Sequence, residues 1–353
     1  KIMAYTTIDD PEKFFQVKTY TGNGSTQSIT FDGTSDMQPN MNWTKVRSET
    51  GSHRLTDDIR GLNKPVFPNG SDAEGTEDNY TSFDSDGFSL KNASVNENTR
   101  TYVAWCWKTG TAFSNDASAT SIGSLDSSGS VNTTSGFSIV SFTGNQTSGA
   151  TIKHGLTSAP EWIISKDRGS NAFYCYHVGK GNGHALRLST TDGPDDSTGY
   201  WNDPTPGSST YTVGDNTGTN DSNTMIAFHW HSVQGYSKMG SYTGTGNNDG
   251  AFVFTGFSPA WIMIKRNDGT GPWGMNDTKR DFNDEYGNDA SVYANTSGTE
   301  GTSGSLNVDF LSNGFKLRSD NNEYNNSGGS YVYMTFADSP FVNSNKIPNN
   351  ARQ

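Results

Sequence analysis

Two histidines near the middle of the chain have a spacing that suits metal ligation. His229 and His231 stand two apart in "FHWH", on a segment with strand-like alternation, so their side chains share one face. Imidazole pairs of this kind form part of zinc or nickel sites. No third ligand follows at a fixed spacing, and the alternative is the polar face of a strand whose other face carries Phe228 and Trp230. The pair is the first metal candidate, a calcium site other than an EF-hand at "DSDG" (84–87) is the second, and we expect no cofactor.

A second candidate is the turn-rich segment "GYWNDP". It places Tyr200 and Trp201 beside Asn202 and Asp203. Sugars bind on aromatic faces that are flanked by amide and carboxylate groups, so this segment is a candidate glycan platform. The alternative is an aromatic plug over the end of a β-sandwich, because large aromatic side chains usually bury against something.

The remaining acidic and histidine residues show no catalytic arrangement. "DSDG" (84–87) resembles the start of a calcium loop, but Val95 stands where an EF-hand loop needs Glu, and a turn explains the segment better. The pairs Asp57/Asp58 and Asp195/Asp196 are sequence neighbours, whereas glycoside hydrolysis needs two carboxylates that face each other. We therefore expect no enzyme and no catalytic residues.

The composition indicates which elements position these residues. Only 31% of the 353 residues are hydrophobic, but the chain has 19 Phe, 15 Tyr and 8 Trp. These aromatic residues are separated by many Asn, Ser and Asp and by 40 Gly. Aromatic segments between such turns are typical of a folded all-β protein. The net charge of −12 disfavours nucleic-acid binding, and no apolar run is long enough for membrane insertion. Two cysteines exclude a disulfide framework, and Cys106 is expected to be a small buried strand residue.

Three sequence blocks occur three times in the same order. The first is an aromatic residue before Thr-Gly, at Tyr20, Phe142 and Tyr242. The second is Pro, five residues and Lys, as "PNMNWTK", "PEWIISK" and "PAWIMIK". The third is a closing strand, which includes "YVAWCWK" (102–108), "MIAFHWH" (225–231) and "YVYMTFAD" (331–338). Recurrence of this kind predicts tandem units of one supersecondary design.

The predicted organisation is all-β, with three tandem β-sandwich-like repeats of about 100 residues each. The repeats span 15–110, 136–234 and 235–340, with an N-terminal arm (1–14) and a C-terminal tail (341–353). Residues 111–135 are rich in Ser, Thr and Gly and are either a flexible linker or an edge hairpin. Short helices are predicted in Asp9–Val17 and His53–Gly61. The block lysines Lys45, Lys166 and Lys265 are expected where each strand meets water.

The blocks "YTGNG", "SFDSDGFSL", "YVAWCWK", "GFSIVSFTGN", "DFLSNGFKLRS" and "YVYMTFADSPFV", with the terminal "IPNNAR", resemble a family of tailed-bacteriophage virion proteins. The family is frequent in marine phages and is usually labelled tail-fibre-like. The resemblance covers nearly the entire chain and implies a virion exterior location, on the tail or capsid surface. It also implies contact with other virion proteins and self-association, with a trimer favoured.

We therefore expect a non-enzymatic structural protein of a bacteriophage virion. The first hypothesis is a tail fibre or appendage that contributes to host attachment through a host-surface glycan. The alternative is a capsid decoration or cement protein. A polysaccharide depolymerase is the third hypothesis.

Overall fold

The computed structural model describes residues 5–91, 93–280, 290–301 and 306–349. The chain is all-β, with about 42% of its residues in strands and 6% in helices, which confirms the predicted fold class. The α-helices of the described residues each have four residues: α1 (Ala117–Thr120), α2 (Thr198–Trp201), α3 (Thr217–Asn220) and α4 (Asn322–Asn325). None of the helices described is long and apolar enough to cross a bilayer.

The first part of the chain forms two antiparallel sheets. Its strands are β1 (Phe15–Thr21), β2 (Gln27–Ile29), β3 (Met41–Val46), β4 (Arg54–Asp57), β5 (Tyr80–Asp84), β6 (Gly87–Leu90) and β7 (Thr101–Trp107). The larger sheet has the order β1-β7-β3-β4, and the smaller sheet has the order β2-β6-β5.

The second part adds a longer sheet and a two-stranded one. Its strands are β8 (Thr111–Asn115), β9 (Ser127–Asn132), β10 (Phe137–Thr143), β11 (Ala150–Lys153), β12 (Trp162–Asp167), β13 (Phe173–His177), β14 (His184–Arg187), β15 (Asp195–Asp196), β16 (Thr210–Val213) and β17 (Thr224–Trp230). The eight-stranded sheet has the order β15-β14-β13-β12-β17-β10-β9-β8, and β11 pairs with β16.

The third part again forms one larger and one smaller sheet. Its strands are β18 (Ser237–Thr243), β19 (Phe252–Phe254), β20 (Phe257–Arg266), β21 (Gly274–Asp277), β22 (Val292–Tyr293), β23 (Val308–Leu311), β24 (Gly314–Leu317) and β25 (Ser330–Pro340). The larger sheet has the order β18-β25-β20-β21-β22, and the smaller one has the order β19-β24-β23.

The closing strands β7, β17 and β25 each lie between an opening strand and a strand of the Pro-to-Lys block. The aromatic residue before each Thr-Gly faces the start of its closing strand, in the pairs Tyr20–Tyr102, Phe142–Met225 and Tyr242–Tyr331. Period-2 alternation fixes this register, because a slip of one residue would send every side chain to the opposite face.

Each larger sheet is buried on both of its faces. On β7, Tyr102, Ala104 and Cys106 pack toward the smaller sheet, while Trp105 and Trp107 point the other way. The three larger sheets meet there in one central core, whose largest members are Trp43, Trp105, Trp107, Trp162, Trp230, Trp261 and Trp273. A sheet covered on both faces needs near-continuous apolar strands, which is why these segments are so rich in aromatic residues.

One predicted turn is confirmed at Pro11, one predicted helix is wrong, and one alternative is settled. His53–Gly61 is not helical: Arg54–Asp57 form β4, because Leu55 is fully buried in the central core. In Asp9–Val17 only Pro11–Lys13 form a 3-10 turn, and β1 begins at Phe15. The segment 111–135 is a hairpin of β8 and β9 on the edge of β10, so it is not a flexible linker.

Candidate functional site

The predicted glycan platform begins on helix α2. Ser197 caps this helix, and its hydroxyl oxygen accepts a hydrogen bond from the Gly199 main chain. The helix carries Tyr200 and Trp201 against the inner face of the second part. The ring of Tyr200 stacks on Tyr174 with centroids 4.7 Å apart, and its hydroxyl donates to the Asp195 carboxylate at 2.7 Å.

The two rings of this platform are covered. Tyr200 is 4% and Trp201 is 2% exposed, and both belong to the core between the larger sheet and β11–β16. Asn202 is half-buried and Asp203 is exposed beside them. The prediction that Tyr200 and Trp201 present aromatic faces to a sugar therefore needs correction. The alternative of aromatic rings that fill the core accounts for their position, because α2 contacts β14 of the larger sheet and β16 of the smaller one.

The two histidines lie at the end of β17. His229 is fully buried, with its ring centroid 4.7 Å from Tyr211 and 5.9 Å from His154. Neither of its ring nitrogens has a hydrogen-bond partner, and burial lowers its pKa well below the usual value. His231 follows the strand, and its Nδ1 donates to the Ser232 carbonyl at 3.0 Å. In the described residues, no group of three His, Cys, Asp or Glu side chains is placed to hold a metal ion.

Within each acidic pair the two carboxylates differ in burial, with Asp58 and Asp196 exposed and Asp57 and Asp195 at least partly buried. Asp57 is fully buried and accepts hydrogen bonds from Arg60, whereas Asp58 is exposed and binds Asn40. Asp84, in the former calcium-loop candidate, accepts hydrogen bonds from the hydroxyls of Ser82 and Ser89. Asp57 is therefore part of a buried ion pair, and Asp84 stabilises a turn.

The three block lysines are buried, so the prediction that they meet water is wrong. Lys45 is 1% exposed, and Lys166 and Lys265 are fully buried. Each ammonium group donates to main-chain carbonyls, for example Lys166 to Gly169 at 2.8 Å and Lys265 to Gly271 at 2.7 Å. Burial lowers the pKa of each of them to about 8. Main-chain carbonyl oxygens near the strand ends therefore accept hydrogen bonds from the lysine ammonium groups, in place of the water molecules that the sequence pattern predicted.

Charged contacts join the three parts of the chain at their seams. Arg47, which follows β3, forms a two-pronged ion pair with Glu300 of the third part, with both N–O distances 2.8 Å. Arg168, which follows β12, does the same with Glu74 of the first part, at 2.8 and 2.7 Å. The main-chain N–H of each glutamate also donates to the carbonyl of its arginine partner.

A buried arginine stands behind each of these glutamates. Arg280 lies 3.1 Å from Glu300 and pairs with Asp277, while Arg60 lies 3.2 Å from Glu74 and pairs with Asp57. Burial by itself raises the pKa of Glu300, but Arg47 and Arg280 hold that pKa below its usual value. Between the second and third parts, Trp273 Nε1 donates to the Arg187 carbonyl at 2.9 Å. The seams therefore contain well-paired polar groups, in which the half-buried Arg47 and Arg168 bind their glutamates and the arginines behind those glutamates are buried.

An open groove with a volume of about 600 Å³ lies beside the β8–β9 hairpin. Its walls are mainly hydroxyl and carboxyl groups, including those of Ser114, Ser128, Ser141, Asp116 and Asp126. The three serines are cross-strand neighbours on β8, β9 and β10 and form one polar row. Such a groove has hydrogen-bonding capacity but little apolar floor.

Comparison with protein-family models identifies the group to which the chain belongs. Residues 10–340 match the model described as "Domain of unknown function (DUF7483)". The chain belongs to this family. No curated protein matches the sequence.

One surface feature of this DUF7483 chain was missed by the sequence analysis. Phe252 and Phe254 of β19 are 47% and 56% exposed, on the outer face of the third part. The signal was present in the segments that follow each Thr-Gly: "QSIT", "ATIK" and "AFVF". These segments share a buried aliphatic residue, and only the last one flanks it with aromatic residues. We call Phe252 and Phe254 the phenylalanine pair.

Proposed function

We propose that this DUF7483 chain is a non-enzymatic structural protein of the exterior of a bacteriophage virion. In this proposal it belongs to a tail fibre or appendage and contributes to attachment at a host-surface glycan. The resemblance of its sequence blocks to tail-fibre-like virion proteins supports the location. The central core carries the structural role, because seven tryptophans from all three parts of the chain pack there.

We also propose that the chain consists of three tandem β-sandwich modules of common origin. Three observations support the proposal: the shared order of opening, closing and block strands, the shared register, and a separate inner core in each part. The seams support it further, since Arg47 and Arg168 hold corresponding places and bind their glutamates in the same way.

The central core holds the three modules of such a protein together as one rigid body. Each larger sheet uses its second face to bind the other two, so no module can leave without exposing tryptophan side chains to water. Burial of one such aromatic side chain contributes on the order of 2–3 kcal/mol. The body is therefore expected to move as one unit, which suits a component that transmits or resists force.

One observation favours a second candidate, a capsid decoration or cement protein. The modules gather around one core, whereas a fibre shaft requires them to follow one another in a row. A compact body suits either the tip of an appendage or a capsid surface.

Particle biochemistry tests both candidates. The protein should be found by mass spectrometry in purified virions of the phage that encodes it. Gold-labelled antibodies should then mark the tail in the first case and the capsid in the second. Absence of the protein from purified particles, together with its presence in the infected-cell lysate, would refute both. Sedimentation analysis tests the proposed trimer against the chain mass of 38.2 kDa.

A further inference from the structure

Among the described residues, the phenylalanine pair lies on the edge strand of a sheet. Strand β19 is the edge strand of β19-β24-β23, and its middle residue Val253 points inward with 8% exposure. Leu317 N donates to the Ala251 carbonyl, and Thr255 N donates to the Asn313 carbonyl. In an antiparallel ladder the alternate residues then direct their main-chain groups off the edge. The pair therefore presents two rings, about 7 Å apart, beside outward main-chain groups.

The other two modules show that the strand does not need these rings. The residues that correspond to Val253 are Ile29 of β2 and Ile152 of β11, since each faces the aromatic residue of its partner strand, Phe315, Phe88 or Tyr211. The flanking residues are Ser28 and Thr30 in the first module and Thr151 and Lys153 in the second. Neither core packing nor strand formation explains why both flanks are aromatic in the third module alone.

Polar groups border the rings on one side. Lys316 stands directly opposite Phe252 and binds Asp249 at 2.6 Å, while Arg318 binds Asp309 at 2.7 Å. Gly314 stands opposite Phe254, and a Cβ atom there would lie 2.1 Å from the Val253 carbonyl oxygen and 3.2 Å from the Phe252 ring. This position therefore places no side chain beside the rings. The two positive side chains of this border are balanced by its two negative ones. The border therefore favours a ligand without net charge.

The size of the patch selects its occupant. A phenylalanine side chain has about 200 Å² of surface, so two half-exposed rings offer about 200 Å² together. A stable protein interface buries about 800 Å² on each partner, several times more. Two aromatic faces with charged and main-chain hydrogen-bonding groups beside them match one or two pyranose rings, whose C–H faces pack on aromatic rings and whose hydroxyls need polar partners.

We propose that the phenylalanine pair is the stacking platform of a binding site for a neutral glycan, with Lys316 and Asp249 as flanking hydrogen-bonding groups. The proposal names a site and a ligand class for the attachment role, and in that respect it rests on the function proposed above.

The test uses the full chain and a double variant, Phe252→Ser with Phe254→Thr. This variant takes its residues from Ser28 of β2 and from Thr30, which directly follows β2, and both flank Ile29 as the phenylalanine pair flanks Val253, so it should fold. The matched control is Val178→Thr, because Val178 is a single apolar residue that is 46% exposed elsewhere. Circular dichroism and thermal unfolding establish that all three proteins are equally folded.

Binding is measured on an array of bacterial surface polysaccharides and then by titration with neutral hexose oligosaccharides of two to six units. We expect the wild-type chain and Val178→Thr to bind the same neutral glycans with equal affinity. The double variant should bind them at least tenfold more weakly, since it loses most of the apolar contact.

Three results would overturn the proposal. Equal binding by the double variant would place glycan recognition elsewhere, for example in the serine-lined groove, and would leave the attachment role intact. Binding of acidic glycans only, or of none, would remove a neutral glycan as the ligand, while antibody labelling of particles still decides the virion role. A lower mass of the double variant in sedimentation would show that the pair contacts a second copy of the chain.

Discussion

Lowering the pH from 7 to 5 should destabilise this protein through four buried histidines. His53, His154, His177 and His229 all lie inside the fold, and burial lowers the pKa of each, to about 3, 4 and 3 for the first three and well below the usual value for His229. Local geometry gives a second reason. In the first three, Nδ1 already accepts a hydrogen bond, from Trp43, Leu156 and Gly179 respectively, so a proton at that atom would break the bond.

The sign follows from the protons that each state binds. In the unfolded chain a histidine titrates with a pKa near 6.5, so below that pH the unfolded state takes up protons that the folded state does not. The contribution of the histidines to stability is therefore complete above about pH 7 and falls with decreasing pH until the folded-state pKa is reached. Each histidine loses about 2 kcal/mol between pH 7 and 5, and four lose about 7 kcal/mol. A typical domain has only about 5–15 kcal/mol in total.

Urea unfolding followed by tryptophan fluorescence at pH 7, 6, 5.5 and 5 measures this loss. At pH 5.5 the free energy of unfolding should change by about 5 kcal/mol per pH unit. His229→Phe should reduce that slope by about a quarter, because it removes one titrating group whose ring nitrogens have no partner to lose. A free energy that is constant between pH 7 and 5, or an equal slope in wild type and variant, would refute the reasoning.

Three further predictions concern stability, each measured by urea unfolding at pH 7.5. Glu300→Gln should cost about 3 kcal/mol, since it leaves Arg47 and the buried Arg280 without their shared anion. Its control is Asp249→Asn, at an exposed ion pair, which should cost far less; equal costs would contradict the importance of the seam. Gly87→Ala should cost more than about 3 kcal/mol, because φ is +109° and the new methyl group would lie 2.0 Å from the Ile29 carbonyl oxygen. Its control is Gly181→Ala, with φ of +86° but open space, which should cost about 1 kcal/mol, and the idea fails if the order is reversed. Trp107→Ala should cost about 4 kcal/mol by opening a cavity in the central core, and a loss below 1 kcal/mol would show that the three sheets do not depend on it.

The strands were largely predictable from local pattern. "YVAWCWK" alternates large and small side chains after a polar turn, and it forms the central strand β7. The same holds for "YVYMTFAD" and β25. Such segments depend mainly on their own residues, because a strand covered on both faces must be apolar along its whole length. The all-β fold class therefore follows from the sequence.

Burial at the strand ends was not predictable. The sequence places Lys45, Lys166 and Lys265 just where a strand ends, and a lysine there usually meets solvent. In the structure their ammonium groups find carbonyl oxygens, and the carbonyl of Thr191 that receives Lys265 lies in another part of the chain. A hydrogen-bond partner 74 residues away cannot be recognised from the spacing of residues around Lys265. For Trp201 the plug alternative of the sequence analysis is the one that the structure supports, although the local sequence does not show which strands cover the ring.

The tryptophans of the Pro-to-Lys blocks show how the central core tolerates change. Register places Met41, Trp162 and Trp261 at one level, opposite Trp107, Trp230 and Phe336 of the closing strands. Two residues later the first block has the larger side chain, because Trp43 lies at the level of Ile164 and Met263. Residues two apart on a strand share a face. The tryptophan of the first block therefore lies two residues further along its strand than those of the other two blocks, but on the same core-facing side of the sheet. If the modules share an origin, selection has kept the face and the total volume of the block rather than the position of its tryptophan, because a core accepts exchanges that conserve both.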